Sequence, residues 1–345
     1  MGLQPFRVAR LSCRFFELMR IRIVYHDRCF DGAASAALLG RFLQEYYYPQ
    51  GQLLLRGMLH RPGFRWSAGD LDGDENAIVD FRYAADRRLD WWFDHHLSAF
   101  LSPEDEAHFR RQGSPQKVLD VTRASCTGLI ADYLRDRFGY LAEGMEDLIA
   151  WAEVIDGAKY ASPAAAVELR SAAARLRLVI EHAEREEQRV EVVRRLRFRS
   201  MEEVLATPEL KAVADRCVEE RQGEMGFVVR RLERREMVGY LDVRGLEGAR
   251  PNRFLPYCVF PDLEYLVTIS AGDDWVRISL GTNPWRRPGR RPEELVNLAE
   301  VAGRYGGGGH AAVAGISLPR GNEALVAQVK EEILQALTSD RRLAV

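Results

Sequence analysis

The side chains of this chain best suited to chemistry are carboxylates and imidazoles: His26, Asp31, Asp80, the triplet Asp94-His95-His96, and Asp156. Oxygen and imidazole-nitrogen donors together suit Mn²⁺ and similar divalent ions, and a shared carboxylate can bridge two of them. Two ions held roughly 3.5–4 Å apart stabilise both the attacking and the leaving oxygen of an in-line phosphoryl displacement. Taken singly, each residue has a plainer reading. An aspartate after a strand is usually a turn residue or a helix cap, and an isolated histidine is usually a satisfied polar group. The set acquires meaning only if the fold gathers it.

Local patterns place these residues where a fold can do so. Ile21–Tyr25 is short and apolar and runs into His26, after which Asp31-Gly32 opens an Ala/Leu segment at helical spacing. Strand, polar turn and helix begin a βαβ unit. The arrangement recurs. Ala77–Val79 leads into Asp80, Asp90–Phe93 into Asp94, and Lys117–Leu119 into Asp120, after which Ser125 can cap a helix reaching about Phe138. A further amphipathic helix over Glu143–Ile155 stops at Asp156-Gly157. Ionisable groups thus sit at the carboxyl ends of predicted strands, where open α/β sheets bind ligands.

From Pro163 to about Arg235 the composition turns to Ala, Leu, Val, Glu and Arg, and helical spacing is sustained. Residues 161–236 read as a helical connector whose Glu/Arg neighbours form a solvated face. A second unit over 237–345 holds predicted strands at Met237–Val243, Tyr265–Ser270 and Trp275–Leu280, the last two divided by the turn Gly272-Asp273-Asp274. A helix over Glu293–Ala302, the run Gly306-Gly307-Gly308-Gly309-His310 and a closing helix around Asn322–Leu337 follow. The expected fold is α/β: a mostly parallel sheet over 19–160, the connector, and a smaller α/β unit. Residues 1–18 are arginine-rich and acid-poor, as a transit peptide is, and read more simply as an optional extension.

Composition narrows the classes. At 345 residues the chain is long enough for two cores, with 47% hydrophobic and 29% charged residues. A formal net charge of −2 gives no whole-molecule pull toward nucleic acid. Five scattered cysteines without a Cys-x-x-Cys pair argue against a disulfide framework and a cysteine-rich zinc site, so a cytoplasmic location is expected. No apolar run approaches the ~18 residues that span a membrane. The glycine run is not a dinucleotide fingerprint, and neither a P-loop, a His-Glu-x-x-His helix nor a Gly-x-Ser-x-Gly elbow occurs.

In their order along the chain, His26-Asp27-Arg28-Cys29-Phe30-Asp31-Gly32, Asp80, Asp94-His95-His96 and Asp156 resemble the successive motifs of the DHH phosphoesterase superfamily, in its RecJ-like and oligoribonuclease-like forms. Gly306–His310 followed by Ala311-Ala312-Val313-Ala314-Gly315 is similar to the glycine-histidine motif of the DHH-associated C-terminal domain. The likeness spans about Ile21 to Leu337. It implies that His26 binds a first metal, that Asp31, His95 and Asp156 bind a second, and that Asp80 bridges both. It implies that Asp94 orients a histidine and that His96 hydrogen-bonds the substrate or its leaving oxygen as a general acid. Gly307, Gly308, Gly309 and His310 would grip a substrate phosphate. Arg304 is a further phosphate candidate, although a last-turn arginine also suits the helix dipole. Near Gly281 the family often carries a substrate-gripping arginine; Thr282 and Asn283 stand there instead.

Two features depart from the resemblance or leave it open. Cys29 occupies the place of a metal-binding aspartate, with one extra residue after His26. A subset of the superfamily has a similar His-x-x-Cys-x-Asp-Gly form; either Asp27 reaches in, or the first site is weakened, selective for another metal or partly vacant, or Cys29 is a small packing residue. Trp285 and the basic run Arg286-Arg287-Pro288-Gly289-Arg290-Arg291 form either a stacking platform beside a basic groove or a solvated loop with a packed tryptophan. The function expected is hydrolysis of phosphodiester bonds in short oligonucleotides or small nucleotides by two Mn²⁺ ions, or Mg²⁺ or another divalent metal. The chain would act off the membrane, as a monomer or a homodimer. The alternatives are a phosphomonoester or phosphoanhydride hydrolase, and a nucleotide-binding protein that has lost catalysis.

Overall fold

The computed structural model describes residues 18–61, 63–245, 251–272, 274–286 and 295–338. Most of the N-terminal extension, Asp273 of the turn, Arg287, Arg290 and Arg291 of the basic run, and the start of the helix expected from Glu293 lie outside those residues.

Five strands, β1 (Arg20–His26), β2 (Gln52–Met58), β3 (Glu75–Val79), β4 (Trp91–Asp94) and β5 (Lys117–Leu119), form an all-parallel sheet in the order β2-β1-β3-β4-β5. The chain leaves β1 toward β2 on one side and returns to β3 on the other. The crevice beyond the carboxyl ends of β1 and β3 is therefore the switch point where such sheets bind ligands. β2 has no counterpart in the sequence reading.

Helix α1 (Phe30–Phe42) follows β1 and buries every residue except Arg41. Its alanines and glycines let neighbours approach on all sides, as a helix that is apolar all round requires. Helices α2 (Pro103–Gln112), α3 (Cys126–Phe138) and α4 (Glu146–Asp156) come next. Ser125 caps α3, its Oγ accepting from the Gly128 amide at 2.9 Å. The expected helix from Glu143 begins only at Glu146, because Ala142 and Gly144 take positive φ.

The connector is six helices rather than one sustained run: α5 (Pro163–Val167), α6 (Ala172–His182), α7 (Glu186–Leu196), α8 (Met201–Leu205), α9 (Pro208–Glu220) and α10 (Glu224–Arg231). The breaks are chemical. Ser162, Ser171 and Ser200 cap the helices that follow them, the last in a capping box with Glu203, and Pro208 opens α9. Leu176, Val193 and Val213 of these helices join the same buried cluster as Ile23, Leu38 and Phe93, so the connector completes the core under the parallel sheet.

The second sheet is mixed. Its strands β6 (Glu233–Arg235), β7 (Val238–Asp242), β8 (Tyr265–Ala271), β9 (Trp275–Thr282), β10 (Gly308–His310) and β11 (Val313–Pro319) lie in the order β10-β11-β9-β8-β7-β6, with only β7 and β8 parallel. Short α11 (Leu255–Val259) and α12 (Leu298–Gly303) and the closing α13 (Glu323–Thr338) complete the unit. α12 starts later than the sequence suggests because Asn297 caps it, accepting from the Ala299 amide at 3.1 Å. A small apolar cluster of Ala166, Phe254, Tyr257, Leu263 and Leu266, with Tyr160 and Trp285 against it, joins the two units.

Candidate metal centre

His26 ends β1, Asp80 follows β3, and Asp94-His95-His96 closes and follows β4. Three neighbouring strand ends therefore deliver their side chains into one crevice. Asp31 comes from the first turn of α1 and Asp156 from the last residue of α4. The turn into α1 requires Gly32, where a Cβ would overlap the His26 carbonyl oxygen. Asp80 sits at φ +54°, a left-handed conformation that costs energy outside glycine and is kept where the surroundings enforce it.

The side chains meet. His95 Nε2 lies 3.4 Å from Asp156 Oδ2, 3.5 Å from Asp80 Oδ1 and 3.7 Å from Asp31 Oδ2. His26 Nδ1 is 3.3 Å from Asp80 Oδ2. Donor atoms of His26, Cys29 and Asp80, of Asp80, His95 and His96, and of Asp31, His95 and Asp156 form three overlapping groups, each within 4.8 Å. Asp80 belongs to two of them.

These atoms fit a cation better than they fit one another. Asp80 Oδ1, His95 Nε2 and His26 Nδ1 are buried and have no hydrogen-bond partner. Buried polar groups are normally paired, so three convergent orphans mark the space of a missing partner. The titration behaviour agrees. Burial, then the neighbouring Asp80 and Asp156, push Asp31 up to about 8. Burial works against a charged His95, yet Asp80, Asp156 and Asp31 outweigh it and raise the ring to about 10. Crowded carboxylates hold on to protons where no metal ion takes their place.

A second tier fixes the orientation. Asp31 accepts from the Cys126 amide at 2.6 Å and from the Thr127 amide and hydroxyl at 2.9 and 2.6 Å, which anchors it to the amino end of α3. His95 Nδ1 lies 3.0 Å from the Arg123 carbonyl, which makes Nδ1 the donor and turns Nε2 into the cluster. Asp94 Oδ1 accepts the His95 amide at 2.8 Å and lies 2.8 Å from His96 Nδ1. Burial alone would discharge His96, but the Asp94 carboxylate wins and lifts it to about 9.

The glycine run behaves differently from a loose anion cradle. Gly308–His310 is a strand, β10, at the edge of the mixed sheet. Gly309 takes φ +141°, and a Cβ there would sit on the Val313 carbonyl oxygen. The hairpin sets the His310 ring 5.6 Å from that of His95 and 5.2 Å from that of His96, and places Gly308 beside Ser98. Burial and the two positive rings hold His310 down to about 4, so it is neutral at physiological pH.

The other sequence candidates are placed elsewhere. Asn283 is 1% exposed, with its amide nitrogen donating to the Leu263 carbonyl at 2.7 Å and its oxygen accepting from the Trp285 amide at 3.0 Å, so no polar atom remains for a ligand. Arg304 is exposed at the end of α12, with no contact to the cluster among the described residues. Trp285 packs edge-on against Phe254, centroids 5.4 Å apart, and its Nε1 donates to the Tyr160 carbonyl at 2.9 Å, so it is a packing residue. Asp27 is held by Arg189, which donates to both carboxylate oxygens at 2.8 and 2.9 Å. Of the two residues open for the first site, Cys29 is the one in the group.

Two neighbours of the cluster escaped the sequence reading. His60 stacks on Phe81 with centroids 4.4 Å apart and lies 4.6 Å from His26, and its buried Nδ1 has no partner. Arg82, two residues after Asp80, has a buried Nε without a partner and makes no ion pair among the described residues. Only the position of Arg82 after Asp80 could have drawn attention to it, since neither residue lies in a recognisable motif.

No family model matches the sequence, and no curated protein matches it. Solved structures do. A pGpG-specific phosphodiesterase, PggH, from Vibrio cholerae superposes with a TM-score of 0.59 at 17% identity, over 91% of this chain and 99% of that one. An exopolyphosphatase-related protein from Bacteroides fragilis gives 0.53 at 13% identity, over 93% and 92%. The DHH domain of a protein described as belonging to a family of ribosomal proteins gives 0.53 at 14% identity, over 92% and 87%. This chain has the fold of the DHH proteins. The DHH triplet itself is Asp94-His95-His96, at the end of β4, and the DHH fold accounts for the parallel sheet, the helices beside it and the second sheet together. The sequence expectation of a mixed α/β architecture is met.

Proposed function

We propose that the chain is a divalent-metal-dependent phosphoesterase that hydrolyses phosphodiester bonds of short oligonucleotides or small nucleotides, with Mn²⁺ as the working ion and Mg²⁺ as a substitute. The observation that carries this reading is the convergence of Asp31, Asp80, His95 and Asp156, with orphaned Asp80 Oδ1 and His95 Nε2 buried between them. PggH, named as a pGpG-specific phosphodiesterase, supports the dinucleotide scale of substrate.

When bound, a pair of divalent ions supplies Lewis-acid polarisation of the phosphoryl group and a water made nucleophilic near neutral pH. His26 and Asp80 would hold one ion and Asp31, His95 and Asp156 another, with Asp80 within reach of both groups. The protein's own groups do the rest. His96, kept protonated by Asp94, offers the proton that the leaving oxygen takes. His310, neutral and on the opposite wall, donates one N–H to a phosphoryl oxygen, beside the outward edge of β10. On the parallel-sheet side Arg82, whose Nε has no partner, offers a cation to a substrate phosphate, and His60 Nδ1 is a further unpartnered ring nitrogen. The 19–160 part would carry the chemistry and the 237–345 part would grip the substrate.

The test is a panel of short RNA, short DNA, dinucleotides, a cyclic dinucleotide and polyphosphate, each with Mn²⁺, Mg²⁺ and a chelator. Mononucleotide released only with metal is the expected result. Inorganic phosphate from polyphosphate alone would sink the phosphodiester reading, and ligand binding without any turnover would make the chain a binding protein.

A further inference from the structure

The two ends of the metal cluster carry different donors. One end offers the carboxylates of Asp31 and Asp156 with the His95 imidazole; the other offers the His26 imidazole, the Cys29 sulfur and the Asp80 carboxylate, with donor atoms within 4.8 Å of one another. Asp80 is 1% exposed; its Oδ2 lies 3.3 Å from His26 Nδ1, which has no hydrogen-bond partner, while its Oδ1 faces His95 and His96. The alternative to the sulfur as ligand is Asp27, and Arg189 occupies both of its oxygens.

Cys29 is also placed unlike a packing cysteine. Cys126 is fully buried, and its Sγ donates to the Phe93 carbonyl at 3.3 Å. Cys29 is only partly buried and stands at the N-cap of the 13-residue α1, where its side chain caps no backbone amide. Its sulfur faces the Gly32 amide and lies within 4.8 Å of donor atoms of His26 and Asp80. A thiol that coordinates a cation gives up its proton, and the helix amino terminus favours the resulting thiolate. Thiolate ligands select Zn²⁺ and iron over Mn²⁺ and Mg²⁺, whereas carboxylates and water suit the latter.

We propose that Cys29 is a metal ligand and that the His26–Cys29–Asp80 end takes a borderline-soft divalent ion of the Zn²⁺ or Fe²⁺ class, so that the working centre is mixed, with Mn²⁺ or Mg²⁺ confined to the Asp31–His95–Asp156 end. This rests on the two-metal reading above and changes which metals fill it.

The test uses the full chain stripped of metal. Cobalt(II) is titrated in while the near-ultraviolet thiolate-to-cobalt absorption is followed, and bound Zn²⁺ and Mn²⁺ are then counted by elemental analysis after competition. The wild type is expected to develop the charge-transfer band with one of two bound equivalents. Cys29→Ser and Cys29→Asp should lack the band and still bind metal at the other end, which also reports that they fold. In Cys29→Asp the Zn²⁺ preference over Mn²⁺ should fall at least the roughly 10-fold that losing even an outer-shell partner costs. Two cobalt ions bound without the band, or an unchanged Zn²⁺ preference in Cys29→Asp, overturns the proposal while leaving the phosphoesterase reading standing. Failure of any divalent ion to bind overturns both. The band and the preference without hydrolysis of any substrate sink the phosphoesterase reading alone.

Discussion

In the parallel sheet, three neighbouring strands end in His26, Asp80 and Asp94, whereas the mixed sheet sends a single ring, His310, from an edge strand whose other residues are glycines. Asp31, Asp80, Asp94 and His95 are each 1% exposed, while Gly308, Gly309 and His310 all remain partly open. The parallel-sheet groups are fixed by a packed core, by helix-terminal amides and by one another. The edge strand is fixed by a single neighbour, β11, and by glycine geometry. On the proposed reading, ion spacing would be set in the rigid part, and the group offered to substrate would stand on a less constrained edge.

Removing a ligand on the rigid side should do the most damage. His95→Ala is expected to abolish metal-dependent hydrolysis by about 10³-fold or more, several kcal/mol of transition-state stabilisation, with metal content falling in parallel. Activity that survives this change would show that the cluster is not the reaction centre. On the edge side, His310→Ala should lower kcat/KM by roughly 10–100-fold, the worth of a hydrogen bond to a charged group, with metal content unchanged. Gly309→Ala should do as much without touching the ring, because its Cβ would meet the Val313 carbonyl and displace β10. If Gly309→Ala were neutral, the hairpin would not be what places His310.

Metal should also stabilise the rigid side, more at high pH than at low. In the metal-free protein Asp31 is raised from 3.8 to about 8, so its contribution to stability is complete at pH below about 4 and is lost as pH rises through 8. His95, raised to about 10, loses its contribution in the same direction at higher pH. A divalent ion replaces those protons. At a concentration a hundred times its dissociation constant it adds about 2.7 kcal/mol, or roughly 5 °C in Tm. The shift should be larger at pH 8 than at pH 6 in paired thermal melts. A smaller shift at pH 8 would mean that the acids are not paying for their proximity in the way described.

The same contrast governs how much was legible in the sequence. His26, Asp80, His95 and Asp156 each end or follow a strong local pattern, a strand or an amphipathic helix, Asp31 opens one, and the core that such patterns build brings them together. β10 was missed because the glycines of Gly306–Gly309 carry no apolar periodicity, and a strand without side chains is defined only by its partner; β11 does alternate, Ala314, Ile316 and Leu318 facing inward, and was passed over. Asn283 read as a ligand candidate because an unpaired amide and a turn-locking amide look alike until the Leu263 carbonyl is in place. Asp27 gave no hint of its fate either, since Arg189 lies 162 residues further along on α7.

His60 and Arg82 are the sharpest test of where the rigid side stops and substrate handling begins. Both lie against the parallel sheet, which should make them part of the fixed side, yet neither belongs to a group of candidate ligands, His60 only packing beside His26. Burial pulls the Arg82 guanidinium down from its ordinary value, and Asp94 opposes this only in part. A partly buried cation with an unpartnered Nε is unfavourable unless something anionic visits it. Arg82→Gln is therefore expected to raise KM about tenfold, at the low end for a charged hydrogen bond because the side chain is partly exposed, with kcat and metal content little changed. Arg82→Lys should recover part of the loss, since charge returns without the planar fork. A fall in kcat with KM unchanged would instead place Arg82 among the groups that fix Asp80 and Asp94, and the boundary between the two halves of the site would move outward.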